Sequence, residues 1–253
     1  MTTQQKQKIK LIIFYLIFNF GGIATIQLAL VYLSNYISLE FFHSLSSIQK
    51  FAVIVFVQNL LFFIFLYISL KVTNHSPKKV AKNIRTQIDK PDWKNIIKYI
   101  FGGYLAFILI SLGVGVIYNI IKHLYGIEIP WLMGEQWVVV FIQDFDLTSL
   151  THIIVIWISV VLIAPIVEEI IYRWIITKYL LEATSKHKAL LISAIIFASI
   201  HMERSVWWHL FILSYILSYI YYKTSSLTYC ILFHMLVNAL SFGMMLAMAN
   251  GII

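Results

Sequence analysis

Five runs of twenty or more predominantly apolar residues constrain this chain before any other feature: Leu11 to about Leu33, Phe51 to Leu70, Ile96 to about Ile121, Ser149 to about Leu181 and Leu227 to about Met248. At about 1.5 Å of rise per residue, each is long enough as a helix to cross a hydrocarbon layer about 30 Å thick. Composition points the same way. With 60% apolar residues, 12% charged residues and a mean hydropathy of +0.85, the chain departs from the roughly 45–50% apolar and about 25% charged usage of soluble domains. A soluble globular protein is excluded, and the expected fold is all-α, a polytopic transmembrane helical bundle.

The charges set the threading. Lys6, Lys8 and Lys10 precede the first run, which is too long for a secretory signal core of about 7–15 residues and reads as an anchor. The second run leads into a segment with Lys71, Lys78, Lys79, Lys82, Arg85, Lys90, Lys94 and Lys98, the strongest cytoplasmic marker in the chain. The third returns outside to a loop with Glu128, Glu135, Asp144 and Asp146, where Trp131 to Phe141 could lie in the interface. The fourth is too long for a perpendicular crossing and contains Pro165, which predicts tilt, a kink or a cytoplasmic extension before Lys186 and Lys188. Ala189 to about Met202 and Trp207 to about Tyr222 are short, two spans or a re-entrant pair, and Leu227 to about Met248 is the last. The expectation is about seven spans in the cell membrane, multi-pass, with a cytoplasmic N-terminus.

No repeat, low-complexity tract or linker divides the chain, so residues 1–253 form one integral membrane domain with 150–241 as its catalytic core. The net charge of +8 fits retention of basic loops in the cytoplasm. Aromatic residues, 16% of the chain, are read as lipid-facing or interfacial, so the expected partners are the lipid bilayer and a peptide or membrane-protein substrate, with no nucleic acid. The single Cys230 cannot form an internal disulfide.

Ionisable groups inside a span cost roughly 2.5–3.5 kcal/mol each on the insertion scale, so each needs a partner or a task. The chain has few: Glu168, Glu169 and Arg173 on the fourth span, His201 on the fifth, His209 on the sixth, and His234 with Asn238 on the last. Glu169 and Arg173 are i and i+4, in the favourable acid-before-base order for an ion pair. Glu168 points about 100° away around the helix and is left to face another part of the interior, which makes it the candidate general base. His234 and Asn238 share a face and together could donate hydrogen bonds to an oxyanion. Counted from the basic helix ends, Glu168, His201 and Asn238 lie about 20–22 Å along their helices, so the three can meet. His209 falls at a similar depth and either joins them or lies beside Trp207 and Trp208 at the outer surface.

Glu168-Glu169-x-x-x-Arg173, Phe197-x-x-x-His201 and His234-x-x-x-Asn238 resemble, in order and spacing, the three motifs of the CPBP intramembrane proteases, which join CAAX proteases and bacteriocin-processing Abi proteins. The resemblance covers roughly Pro165 to Ser241. It implies that Glu168 activates a water with help from His201, that His234 and Asn238 stabilise the oxyanion of a peptide bond being hydrolysed, that Glu169 and Arg173 support them, and that Phe197 packs or positions. Two histidines and a glutamate have the donors to hold zinc with an open water position. The same residues can polarise water unaided, so no cofactor is required in the preferred reading and zinc is the alternative.

No HExxH helix, PCxxC pair, GxSxG turn or phosphate-binding loop offers another chemistry. The expected function is therefore an intramembrane endopeptidase cleaving a small peptide precursor or membrane-anchored protein near the cytoplasmic side of the bilayer, in bacteriocin or signal-peptide maturation or in self-immunity. The alternative is a non-enzymatic membrane immunity or scaffold protein regulating a sensor system. A proton-relay transporter lacks the paired Gly/Pro-broken helices of inverted-repeat carriers.

Overall fold

A computed structural model describes residues 2–17, 44–128, 145–201 and 206–252. The described residues form eight helices and no strand. These are α1 (3–17), α2 (Ser47–Val72), α3 (Pro77–Arg85), α4 (Trp93–Tyr125), α5 (Leu150–Ala183), α6 (Lys186–Ile200), α7 (Trp207–Thr224) and α8 (Leu227–Ala249).

Local chemistry marks the boundaries. Ser46 and Gln49 form a reciprocal capping box at the start of α2. Ser76 caps α3, with Pro77 at the first turn where its missing N–H costs nothing. Asp92 accepts from the backbone of Lys94 and Asn95 to open α4, and Gly126, at φ +64°, closes it in the left-handed conformation glycine adopts without strain. Asp146 Oδ1 accepts from the backbone N–H and hydroxyl of Thr148 just before α5.

Helices α2, α4, α5 and α8 are long and apolar enough to cross a membrane. The sequence pattern predicts seven crossings, two of which, the short fifth and sixth, could instead be a re-entrant pair. Only the start of the first, to residue 17, lies among the described residues. Helices α6 and α7, of 15 and 18 residues, pack along each other, and fifteen residues reach only about 22 Å against a hydrocarbon layer of about 30 Å. The loop at 131–141 lies outside the described residues.

Pro165 does not break α5. Two stretches of π-helix, Ile158–Ile163 and Ile170–Thr177, flank the Ala164–Glu169 segment that contains it. In the first, the Ala164 N–H bonds the Ser159 carbonyl five residues back, a wider turn in which the proline ring meets no tight i−4 carbonyl. In the second, the Thr177 hydroxyl donates to the Tyr172 carbonyl at 2.8 Å.

The main apolar core lies where α5 to α8 converge, with Trp174, Phe197, Leu217 and Phe233 fully buried, and α1, α3 and the ends of α2 and α4 pack around it. A smaller cluster of Ile48, Leu147, Ile156, Val161, Phe242 and Met245 joins α2, α5 and α8 at the other end. The strap between α3 and α4 is tied to the start of α8: the Leu227 N–H donates to the Gln87 carbonyl at 2.9 Å, the Thr228 hydroxyl to the Asp89 carbonyl at 2.9 Å, and the Asp92 N–H to the Tyr229 hydroxyl at 2.9 Å. Lys8 on α1 pairs with Glu182 at the end of α5.

Candidate active site

Adjacent positions on α5 diverge around the helix, and this separates the two carboxylates. Glu169 is fully buried. Its Oε2 accepts from Arg173 Nε at 2.7 Å, and its Oε1 lies 2.8 Å from His234 Nδ1 on α8. A carboxylate already paired with a guanidinium can only accept, so Nδ1 of His234 carries the proton of that bond. Arg173, also fully buried, reaches across to α7, where its NH1 donates to the Ser214 hydroxyl at 2.9 Å, the Ser218 hydroxyl at 2.9 Å and the Ser214 carbonyl at 3.3 Å. The network continues through Thr177 Oγ1, 2.7 Å from Ser193 Oγ on α6 and 3.3 Å from Ser218 Oγ. One ion pair on α5 thereby holds α6, α7 and α8 in register.

Glu168 has no such partner at hydrogen-bond distance among the described residues. Its Oε1 lies 4.0 Å from His201 Nε2 and its Oε2 3.8 Å from His234 Nε2, with the side chain 19% exposed. His201, 29% exposed in its side chain, caps the C-terminus of α6. Its Nδ1 lies 2.7 Å from the Phe197 carbonyl, an atom that only accepts, so Nδ1 donates and Nε2 is the ring nitrogen turned toward Glu168. Phe197 is the common support. It is fully buried and its ring meets those of His201 at 4.6 Å, His234 at 6.0 Å and Tyr172 at 4.9 Å, with the Arg173 guanidinium 5.2 Å away.

Asn238 comes in from α8 by way of the π turn. The Val160 carbonyl would take the Ala164 N–H in an α-helix, but that N–H goes to Ser159, and the next donor along would be Pro165, which has none. The orphaned carbonyl accepts from Asn238 Nδ2 at 2.9 Å. This fixes the amide one turn beyond His234 on the same face of α8.

Glu168, Glu169, Arg173, His201, His234 and Asn238 therefore come together as one cluster, with Phe197 beneath it. His209 stays apart: it lies against Trp208, with ring centroids 3.5 Å apart, and no hydrogen bond or ion pair among the described residues joins it to Glu168 or His234. Sequence reasoning missed Ser214, Ser218, Thr177 and Ser193. Their signal was in plain view: Ser214 and Ser218 are i and i+4 on an apolar helix, and Thr177 extends the Glu169–Arg173 stripe by one more turn. No group of three or more His, Cys, Asp or Glu side chains among the described residues is arranged as a metal site.

Residues 150–240 match the family described as type II CAAX prenyl endopeptidase Rce1-like. The match covers α5 to most of α8, the four helices that build the cluster. No curated protein and no solved structure matches the chain.

Proposed function

We propose, from the match of residues 150–240 to the Rce1-like family of CAAX-type proteases, that the protein is a peptide-bond hydrolase, an intramembrane endopeptidase in which Glu168 is the general base. The observation that carries this reading is the contrast between two neighbouring carboxylates. Glu169 has both oxygens engaged, whereas Glu168 stands between two imidazole nitrogens at 3.8 Å and 4.0 Å. Separations of that size suit a water shared between the groups better than a direct hydrogen bond.

In this mechanism a water donates one hydrogen bond to Glu168 and the other to the Nε2 lone pair of His201. Glu168 takes the proton as the oxygen attacks the scissile carbonyl. The resulting oxyanion accepts from His234 Nε2 and from the Asn238 amide. Since Nδ1 of His234 already carries a proton held by Glu169, Nε2 donates only from the imidazolium. Two glutamates, Arg173 and imidazolium then sum to zero charge, the condition under which a buried cluster avoids an uncompensated ion. Collapse of the tetrahedral species breaks the C–N bond, and Glu168 returns the proton to the leaving amine. In this reading Glu168 and His201 polarise the water unaided.

The substrate reading is a small peptide precursor or membrane-anchored protein, in bacteriocin or signal-peptide maturation or self-immunity. The enzyme is read as multi-pass in the cell membrane, N-terminus cytoplasmic, in contact with lipid along α2 and α4. The experiment compares, by mass spectrometry, new peptide termini in membranes and medium of cells expressing wild type, Glu168→Gln or His201→Ala at equal protein abundance. Termini found only with wild type support the reading. Identical profiles in all three sink it.

A further inference from the structure

Helix α3 divides its residues between two faces. Pro77, Val80, Ala81 and Ile84 recur at i, i+3, i+4 and i+7, one side of a helix, and leave Lys78, Lys79, Lys82 and Arg85 on the rest of its surface. Between the apolar side and the second half of α2, with Ile170 of α5 also on its wall, lies a groove of about 210 Å³. Leu66, Leu70 and Val80 line it as buried residues, Phe63 and Tyr67 as exposed ones. From Leu70 to Phe63 it follows α2 for about 10 Å.

The charges beside this groove are all of one sign. Lys71, Lys78, Lys79, Lys82 and Arg85 are exposed, and Lys71 Nζ stands 5.6 Å from the centre of the Tyr67 ring, a side chain that lines the groove. No Asp or Glu occurs between residues 41 and 88, and among the described residues none of these five cations is in an ion pair. Asp89, the first acid after them, is taken by the Ser226 hydroxyl. Lys78 and Lys82 are i and i+4, and Lys82 and Arg85 i and i+3, like-charge spacings that weaken a helix unless an anion lies beside them. The Lys8–Glu182 pair and the bonds of the strap to Leu227, Thr228 and Tyr229 gather the other basic segments at the same end of the bundle. Retention of basic segments puts that end at the cytoplasmic surface, where anionic lipids make the membrane negative.

We infer that this groove binds one anionic phospholipid of the cytoplasmic leaflet, with an acyl chain along Phe63, Tyr67 and Leu70 and the phosphate among Lys71, Lys78, Lys79 and Lys82. The apolar lining does not choose among lipids, because every tail is as apolar as the next. The cations choose the headgroup, and the groove fixes where that headgroup sits. The site goes beyond the protease reading and does not rest on it, since none of these residues belongs to the Glu168 cluster.

The test is native mass spectrometry of the full chain in a neutral detergent, titrated with phosphatidylglycerol or with phosphatidylcholine of the same acyl chains. The expected result is one phosphatidylglycerol retained with an affinity about tenfold or more above that for phosphatidylcholine. Two variants should each abolish this preference: Ala81→Trp, which fills the groove from an exposed position, and the triple change Lys78→Gln, Lys79→Gln and Lys82→Gln, which removes the cations. A second triple change at the same end, Lys186→Gln, Lys188→Gln and Lys223→Gln on α6 and α7, should leave it unchanged. Equal retention of the two lipids by the wild type overturns the inference. So does a preference that survives Ala81→Trp, which would put the headgroup on the surface without the groove, or one that the second triple change lowers as much as the first, which would make it a property of the whole basic end. A dimer without lipid preference would seat a second copy there and overturns it too. Ala81→Leu is read by the same criteria should Ala81→Trp fail to accumulate.

Discussion

Replacing Arg173 with methionine tests whether the ion pair on α5 is held by its surroundings or merely tolerated. Both side chains are fully buried, and the guanidinium bonds Glu169, Ser214 and Ser218. Arg173→Met keeps a long apolar stem but leaves the Glu169 carboxylate without its counter-charge, next to His234. Removing one member of a buried pair costs about 3–5 kcal/mol, and for a chain of this size each kcal/mol lowers the thermal midpoint by about 2–4 °C, a fall of about 6–20 °C. Glu169→Gln in the same background removes the stranded charge, so the double variant should recover part of the loss, with a coupling energy of about 0.5–3 kcal/mol. The chain carries its own reporter. Cys230 is the sole cysteine and fully buried on α8, so a thiol-reactive dye in detergent micelles reads the opening of the bundle as temperature rises. If the double variant loses the full sum of the two single losses, the carboxylate and guanidinium do not act as a pair and the charge argument fails.

Glu168→Gln should behave oppositely, lowering peptide release by about 10²–10⁴-fold with the dye-detected midpoint unchanged, because Glu168 makes no hydrogen bond among the described residues; a lowered midpoint at full activity would contradict its role. Asn238→Ala should lower turnover by about 10²–10³-fold as one oxyanion donor is lost. Pro165→Ala should lower it by less, since the restored N–H competes with Asn238 for the Val160 carbonyl, and a Pro165→Ala enzyme indistinguishable from wild type in steady-state kinetics would refute that link. Just before α5, the hydrogen bonds from Thr148 hold the Asp146 carboxyl below its usual range. This turn is therefore fully held above the ordinary carboxylate pKa and is released as pH falls through the lowered value, which hydrogen exchange at residues 146–150 reads as faster exchange in acid; protection that is flat with pH would show the bonds to be unimportant.

The legible part of this site was its spacing. Glu169 and Arg173, and His234 and Asn238, are one helical turn apart, and an apolar span makes any such pair conspicuous. What spacing could not show is which partner each group takes across the bundle. His234 was read with Asn238 as an oxyanion pair, yet one ring nitrogen is committed to Glu169 and the Asn238 amide to Val160. The second of those bonds depends on a π turn, and π turns leave no periodic trace in an apolar run. Serines 214 and 218 were passed over for a different reason: hydroxyl residues are common in spans, so their i, i+4 spacing carries little weight until Arg173 is seen to reach them. The short fifth and sixth segments are read from the same kind of signal. Apolar content marks Ala189–Met202 and Trp207–Tyr222 as membrane segments without saying that α6 ends at the level of the site.

Two acids side by side in a hydrocarbon environment look like an expense, but their adjacency is what permits a free carboxylate at that depth. A lone Glu168 would have to find a cation, and a paired carboxylate is a poor base. With Glu169 one position on, Arg173 is taken up by the neighbour, and the serines of α7 hold it there. Glu169 in turn engages Nδ1 of His234, so that what faces Glu168 is an imidazole edge at 3.8 Å rather than a guanidinium in direct contact. Glu168 thus experiences compensation without being bonded by it. Any chain that keeps Glu168 and Arg173 but loses Glu169 should lose the base as well, because the guanidinium released would pair with it.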